Sequence, residues 1–302
     1  METVSTPTTS NIFVTTGYDG TSNYMTSSEI VSHDSVASSY SVVSSIAYPL
    51  GLYGAQGFIV GNSIIVCGGD AKPGVGTCHQ LRLTGGSGSL SWSSIASMAA
   101  ARVCARVVRL SPTQEWMTGG TAGGKLSTTE IFDTNTLTWS AGVDLPYATE
   151  RHAIVSIGNN QFLLTGGENG RKRAEKFDSS TETWTSMASL SIDRSCHFSF
   201  VGTYQGNTVV FVGGGASGDA QPSTEYINLS LSSPTWQTGP TLPTDLYCAS
   251  VLVTSTGETY IFGDQSDQVI VTYANDQFTI LSGTTLIEKR GFTVAVEIPM
   301  LP

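Results

Sequence analysis

Six short apolar runs punctuate the chain, and each stops at a small-residue step. They are "IFV" from Ile12, "IIV" from Ile64, "WM" from Trp116, "FLL" from Phe162, "VVFV" from Val209 and "YIF" from Tyr260. No window sustains a 3.6-residue apolar period, so little or no helix is expected. Short apolar runs bounded by turn residues read instead as buried strands.

The steps after the runs recur. "SIIVCGGD", "EWMTGGTA", "FLLTGGEN" and "VVFVGGGA" put a glycine pair at Gly68, Gly119, Gly166 and Gly213, with weaker copies at Thr16–Gly17 and Gly263–Asp264. Counted from Thr16 to Gly263, the intervals are 52, 51, 47, 47 and 50 residues. Each step is followed by Glu or Gln (Glu29, Gln80, Glu130, Glu175, Glu225, Gln268) and then by an aromatic (Tyr40, Trp92, Trp139, Trp184, Trp236, Phe278). A period near 50 belongs to stacked or radial repeat architectures.

The stretch "FLLTGGENGRKRAEKFDSSTETW" carries all three landmarks. In this respect the chain resembles the kelch repeat over nearly its whole length. The resemblance implies an all-β, six-bladed kelch-type β-propeller. Each unit is then a four-stranded sheet that buries its faces only against its neighbours. The glycines end the second strand where a Cβ would clash or force an awkward φ, and the tryptophans fill the gaps between sheets.

The chain opens on a glycine-step strand and lacks the strand that precedes such a step elsewhere. The segment "EKRGFTVAVEIP" at 288–299 resembles the missing one, so Gly291 to Ile298 is expected beside Ile12 to Thr15, closing the ring with a C-terminal strand. Residues 12–299 then form one propeller after a tail of 1–11. "VGNS", "IGNNQ" and "YQGNT" mark its tight hairpins.

Charge narrows the partners. The net charge of −10 argues against duplex nucleic acid, whose binders need basic surface. No apolar run is long enough to span a bilayer, and "METVSTPTTS" has no apolar leader core; a monomer in the cytoplasm is expected, with a mature secreted domain as the alternative. Five widely spaced cysteines read as reduced, buried thiols, with Cys67 and Cys78 placed to pair if the compartment is oxidising.

The remaining candidates are found by counting from each aromatic landmark. Arg102 and Arg194 stand ten residues on; Cys104, Arg151, Cys196, Cys248 and Arg290 twelve on; His152 and His197 thirteen on. First strands of a propeller line its channel, so these positions ring one mouth. In kelch adaptors of cullin-type ubiquitin ligases, arginines at these registers contact acidic peptides. The resemblance thus implies a non-catalytic module that binds a protein or acidic peptide through Arg102, Arg151, Arg194, Arg290, His152 and His197. The competing reading has the arginines bonding loop carbonyls at blade junctions. A galactose-oxidase-type or lyase-like enzyme and a carbohydrate-binding propeller are the alternatives in function. His33 and His79 lie away from that mouth, and no four-ligand set emerges, so neither metal nor cofactor is expected. "NGRKRAEK", with Arg171, Lys172, Arg173 and Lys176, reads as a solvated hairpin tip or a docking patch, and "NLS" at Asn228 is a sequon.

Overall fold

A computed structural model describes residues 9–21, 23–34, 39–70, 76–83, 90–215, 222–263 and 268–298. Among these, every regular element is a strand and none is a helix; accordingly no helix is long and apolar enough to cross a membrane. Blade one begins with β1 (Thr9–Thr15), β2 (Ser28–Asp34) and β3 (Ser39–Ser44). Blade two holds β4 (Gln56–Val60), β5 (Ser63–Cys67), β6 (Cys78–Arg82) and β7 (Trp92–Ile95). Blade three holds β8 (Arg106–Ser111), β9 (Gln114–Thr118), β10 (Thr129–Asp133) and β11 (Thr138–Ala141). Blade four holds β12 (Ala153–Gly158), β13 (Gln161–Thr165), β14 (Ala174–Asp178) and β15 (Thr183–Ser186). Blade five holds β16 (Phe198–Tyr204), β17 (Asn207–Gly213), β18 (Thr224–Ile227) and β19 (Trp236–Thr238). Blade six holds β20 (Ser250–Val253), β21 (Thr259–Phe262), β22 (Val269–Ala274) and β23 (Gln277–Thr285).

The last strand, β24 (Val294–Ile298), returns to blade one and pairs antiparallel with β1, from Asn11 opposite Ile298 to Thr15 opposite Val294. Each sheet then has four strands. The inner strands meet in the cycle β24, β4, β8, β12, β16, β20 and back to β24. The expected six-bladed propeller with C-terminal closure is therefore what the chain forms. The first strand starts at Thr9, within the segment read as a tail, and Asp264 lies outside the described residues.

The apolar runs are continuous because each second strand is covered on both faces. In β5, Ile64 and Val66 turn toward blade one while Ile65 and Cys67 turn toward blade three. The same division gives each of the six junctions an apolar cluster. The glycine step works as expected at Gly166, where φ is 59° and an added Cβ would lie 2.4 Å from the Arg194 carbonyl oxygen. In blade five the step is shifted: Gly214 and Gly215 have the positive φ, while Gly213 belongs to β17. The tryptophans do more than fill gaps. The indole N–H of Trp139, Trp184 and Trp236 donates to the carbonyls of Ala96, Asp144 and Ala188, tying each outer strand to the loop that enters its blade.

Candidate functional site

Each loop that leads from an outer strand to the next inner strand contains one pentapeptide of the same geometry. The six are "LYGAQ" from Leu52, "RVCAR" from Arg102, "TERHA" from Thr149, "RSCHF" from Arg194, "LYCAS" from Leu246 and "RGFTV" from Arg290. Their third residues have left-handed backbone, with φ of 69° at Gly54, 53° at Cys104, 57° at Arg151, 56° at Cys196, 55° at Cys248 and 56° at Phe292. Five of these carry side chains, for which such φ values are unfavourable and persist only where the surroundings hold them.

What holds them is a closed ring of backbone hydrogen bonds. The amide of Cys104 donates to Gly54 (2.9 Å), Arg151 to Cys104 (3.0 Å), Cys196 to Arg151 (2.8 Å), Cys248 to Cys196 (2.8 Å), Phe292 to Cys248 (2.9 Å) and Gly54 to Phe292 (3.4 Å). The ring encircles the axis at one mouth of the channel. Phe292 takes the place that counting assigned to Arg290. From Phe278 to Phe292, and from Tyr40 to Gly54, the chain runs 14 residues rather than 12. In blade six the excess sits in a bulge, where pairing jumps from Val269–Thr285 to Val271–Ile280.

Arg290 instead shares the first pentapeptide position with Arg102 and Arg194. These three side chains do not face the mouth. Arg102 is 2% exposed, and Arg194 and Arg290 are 0% exposed. Their guanidinium groups bind Glu130, Glu225 and Glu29 on the third strands of their blades, and donate to the glycine-step carbonyls of Gly119, Gly214 and Thr16. Each carboxylate also accepts two backbone amides, such as those of Ala99 and Ala100 on Glu130. Three of the four arginines expected at a ligand face are thus engaged inside their own blades. The buried glutamates therefore do electrostatic work as well as packing.

His152 and His197 are equally enclosed, both 0% exposed. Each Nε2 hydrogen-bonds a threonine of the preceding blade, Thr118 at 2.8 Å and Thr165 at 2.9 Å. Burial, reinforced by the charge of Arg106, pushes the His152 pKa down to about 3, and burial moves His197 the same way. Both are neutral, enclosed joints between blades.

The cysteines also depart from expectation. Cys67 pairs with Cys78, directly opposite on β5 and β6, and Cys196 pairs with Cys248, its neighbour in the ring. Only Cys104 keeps a thiol, which burial pushes up to about 11. Cys104, Cys196, Cys248 and Phe292 come from different sides of the ring and form one cluster, so side chains fill its centre.

Arg151 is the predicted residue that does reach this mouth. Its side chain is 28% exposed, and its guanidinium lies 5.6 Å from the Phe292 ring centre, contributed by the opposite side of the ring. Glu168 is its nearest carboxylate, at 3.6 Å. Around Phe292 stand Tyr53 (5.2 Å) and Tyr247 (6.2 Å), both edge-on, and Tyr18 and Tyr24 extend the aromatic floor. Counting missed these residues; aligning the six pentapeptides on one another would have found Tyr53, Tyr247 and Phe292, but not Tyr18 and Tyr24. The basic hairpin lies beside Arg151, where Arg171 binds Glu168, Lys172 approaches Asp193, and Arg173 binds Glu175 while covering Tyr147.

Among the described residues no three of His, Cys, Asp and Glu stand together as metal ligands. His33 is stacked on Tyr40 and paired with Glu258, and His79 bonds the Tyr48 hydroxyl, both away from the ring. Compared with family models and with curated proteins, the chain finds no match in either.

Proposed function

We propose that the chain is a non-catalytic binding module of kelch type that holds an acidic protein or peptide segment at the mouth formed by the backbone ring. The carrying observation is Arg151, a partly exposed guanidinium stacked over Phe292 at the axis among four tyrosines. Tyr, Phe and Arg are the residues enriched where proteins bind one another, because they offer large rigid area with polar tips. Arg151 has the fork that suits a carboxylate. Lys125, Arg171 and Lys172 stand on the loops of blades three and four around it, where Arg171 shares Glu168 and Lys172 faces Asp193. A rigid ring bearing such loops is a scaffold suited to recognition. The kelch assignment is supported by glycine steps, buried Arg–Glu pairs and outer-strand tryptophans repeating in register. The two disulfides favour an oxidising compartment over the cytoplasm.

The test is selection of displayed random peptides on the wild-type chain and on Arg151→Ala. The expected result is enrichment of Asp- and Glu-rich peptides by the wild type, weakened about tenfold or more in the variant. No enrichment, or enrichment that Arg151→Ala leaves unchanged, rejects the proposal.

A further inference from the structure

Directly inside the backbone ring, the inner strands surround a cavity of about 190 Å³. The fifth residues of all six pentapeptides, Gln56, Arg106, Ala153, Phe198, Ser250 and Val294, contribute to its wall, and no Asp or Glu does. Arg106 is the uncompensated charge. Three other arginines of this interior each face a buried glutamate, whereas Arg106 has no carboxylate within 4.0 Å among the described residues. Among the described residues its guanidinium makes one hydrogen bond, from Nη1 to the carbonyl of Ala105 at 3.2 Å. A guanidinium carries about five N–H donors, so most of the fork stays available to the cavity. The titratable groups that act on it are Cys104, Arg151, His152 and His197, none of them a carboxylate, and burial keeps both histidines neutral. Arg106 is half-buried at the wall of this cavity, and a guanidinium fork without a carboxylate beside it attracts an ion of opposite sign.

We propose that the channel beneath the ring is a binding site for a small monovalent anion, a halide or a carboxylate of formate size, held by the guanidinium of Arg106. Gln56, on the adjoining strand, stands at the equivalent position and adds an amide to the same wall. The site is separate from the mouth: Arg151 and the tyrosines lie on the outer side of the ring, and Arg106 on the inner. The inference stands independently of the peptide-binding reading.

The test uses the full chain titrated with sodium bromide at constant ionic strength set by sodium HEPES. Bromide binding is read from nuclear magnetic resonance line broadening. The expected result is saturable broadening that falls about tenfold or more in Arg106→Gln. Added sodium formate distinguishes the sources: it abolishes the broadening if a carboxylate is preferred and leaves most of it if a halide is. Broadening that is absent, or unchanged in Arg106→Gln, overturns the proposal. Should Arg106→Gln not fold, a bromide-soaked crystal of the wild type decides alone. An anomalous peak within hydrogen-bond distance of Arg106 supports the site, and an empty channel at saturating bromide overturns it.

Discussion

The guanidinium of Arg290 and the carboxylate of Glu29 stand 2.6 Å apart although 261 residues separate them in the chain. Glu29 also accepts the backbone amides of Ile287 and Glu288, so one buried carboxylate holds the C-terminal segment against the N-terminal blade. The arrangement recurs as Arg102–Glu130 and Arg194–Glu225. Blades two and six solve the same position differently: Leu52 goes with Gln80, and Leu246 with Gln268. Blade four has Thr149 with Glu175; there Arg173 supplies the guanidinium and the Tyr147 hydroxyl takes the glycine-step carbonyl of Gly166. Charge on the loop and charge on the strand thus change together within a blade.

That covariation predicts a non-additive exchange. Arg290→Leu leaves Glu29 buried without its cation and is expected to cost about 3–5 kcal/mol. Arg290→Leu with Glu29→Gln recreates the neutral pairing of blades two and six. The double variant is expected to recover about 2 kcal/mol or more of the loss. Urea denaturation of wild type, both single variants and the double variant measures the coupling. Simple addition of the two single losses would show that the pair does not act as a unit.

The glycine step gives a second prediction, with an internal control for backbone strain. Gly61 and Gly166 have nearly the same φ, 56° and 59°. An added Cβ at Gly61 meets nothing within 4 Å, whereas at Gly166 it meets the Arg194 oxygen at 2.4 Å and His197 Cε1 at 2.6 Å. Gly61→Ala is expected to cost about 1–2 kcal/mol, the penalty of left-handed backbone alone. Gly166→Ala is expected to cost about 1–3 kcal/mol more, from the forced displacement of neighbours. Equal losses in denaturation midpoints would mean that the junction yields freely and that φ alone explains the glycine.

The blades were legible because six copies of one pattern reinforce each other, so that Asp264 in place of a glycine, or Tyr40 and Phe278 in place of tryptophan, did not hide the repeat. The mouth was less legible for two physical reasons. A register counted along the chain inherits every added residue, and the bulge at Val269 moved Arg290 into a place that belongs to Phe292. The direction of a side chain is set by its partner, and Arg102 turns inward because Glu130 lies across the sheet. The Leu–Gln and Arg–Glu alternation was present in the sequence and carries that information. Cys196 and Cys248 are 52 residues apart, and only the ring makes them neighbours.

The enclosed histidines give the third prediction, on pH. An imidazole in the unfolded chain binds a proton below about pH 6.5. In the folded protein His152 does so only near pH 3, because burial opposes its charge. Between these values the unfolded state holds the extra proton, so stability is full above pH 6.5 and falls as pH drops, by about 1.4 kcal/mol per pH unit for each such histidine. His197 and His79 are shifted in the same direction. His152→Gln keeps a polar group for Thr118 while removing one proton site. The slope of unfolding free energy between about pH 5 and 6.5, above the range where most carboxylates titrate, is expected to be lower in this variant by about one proton's worth. Urea midpoints collected across that interval measure it, and a slope identical to that of the wild type would place the acid sensitivity of the ring elsewhere than at this junction.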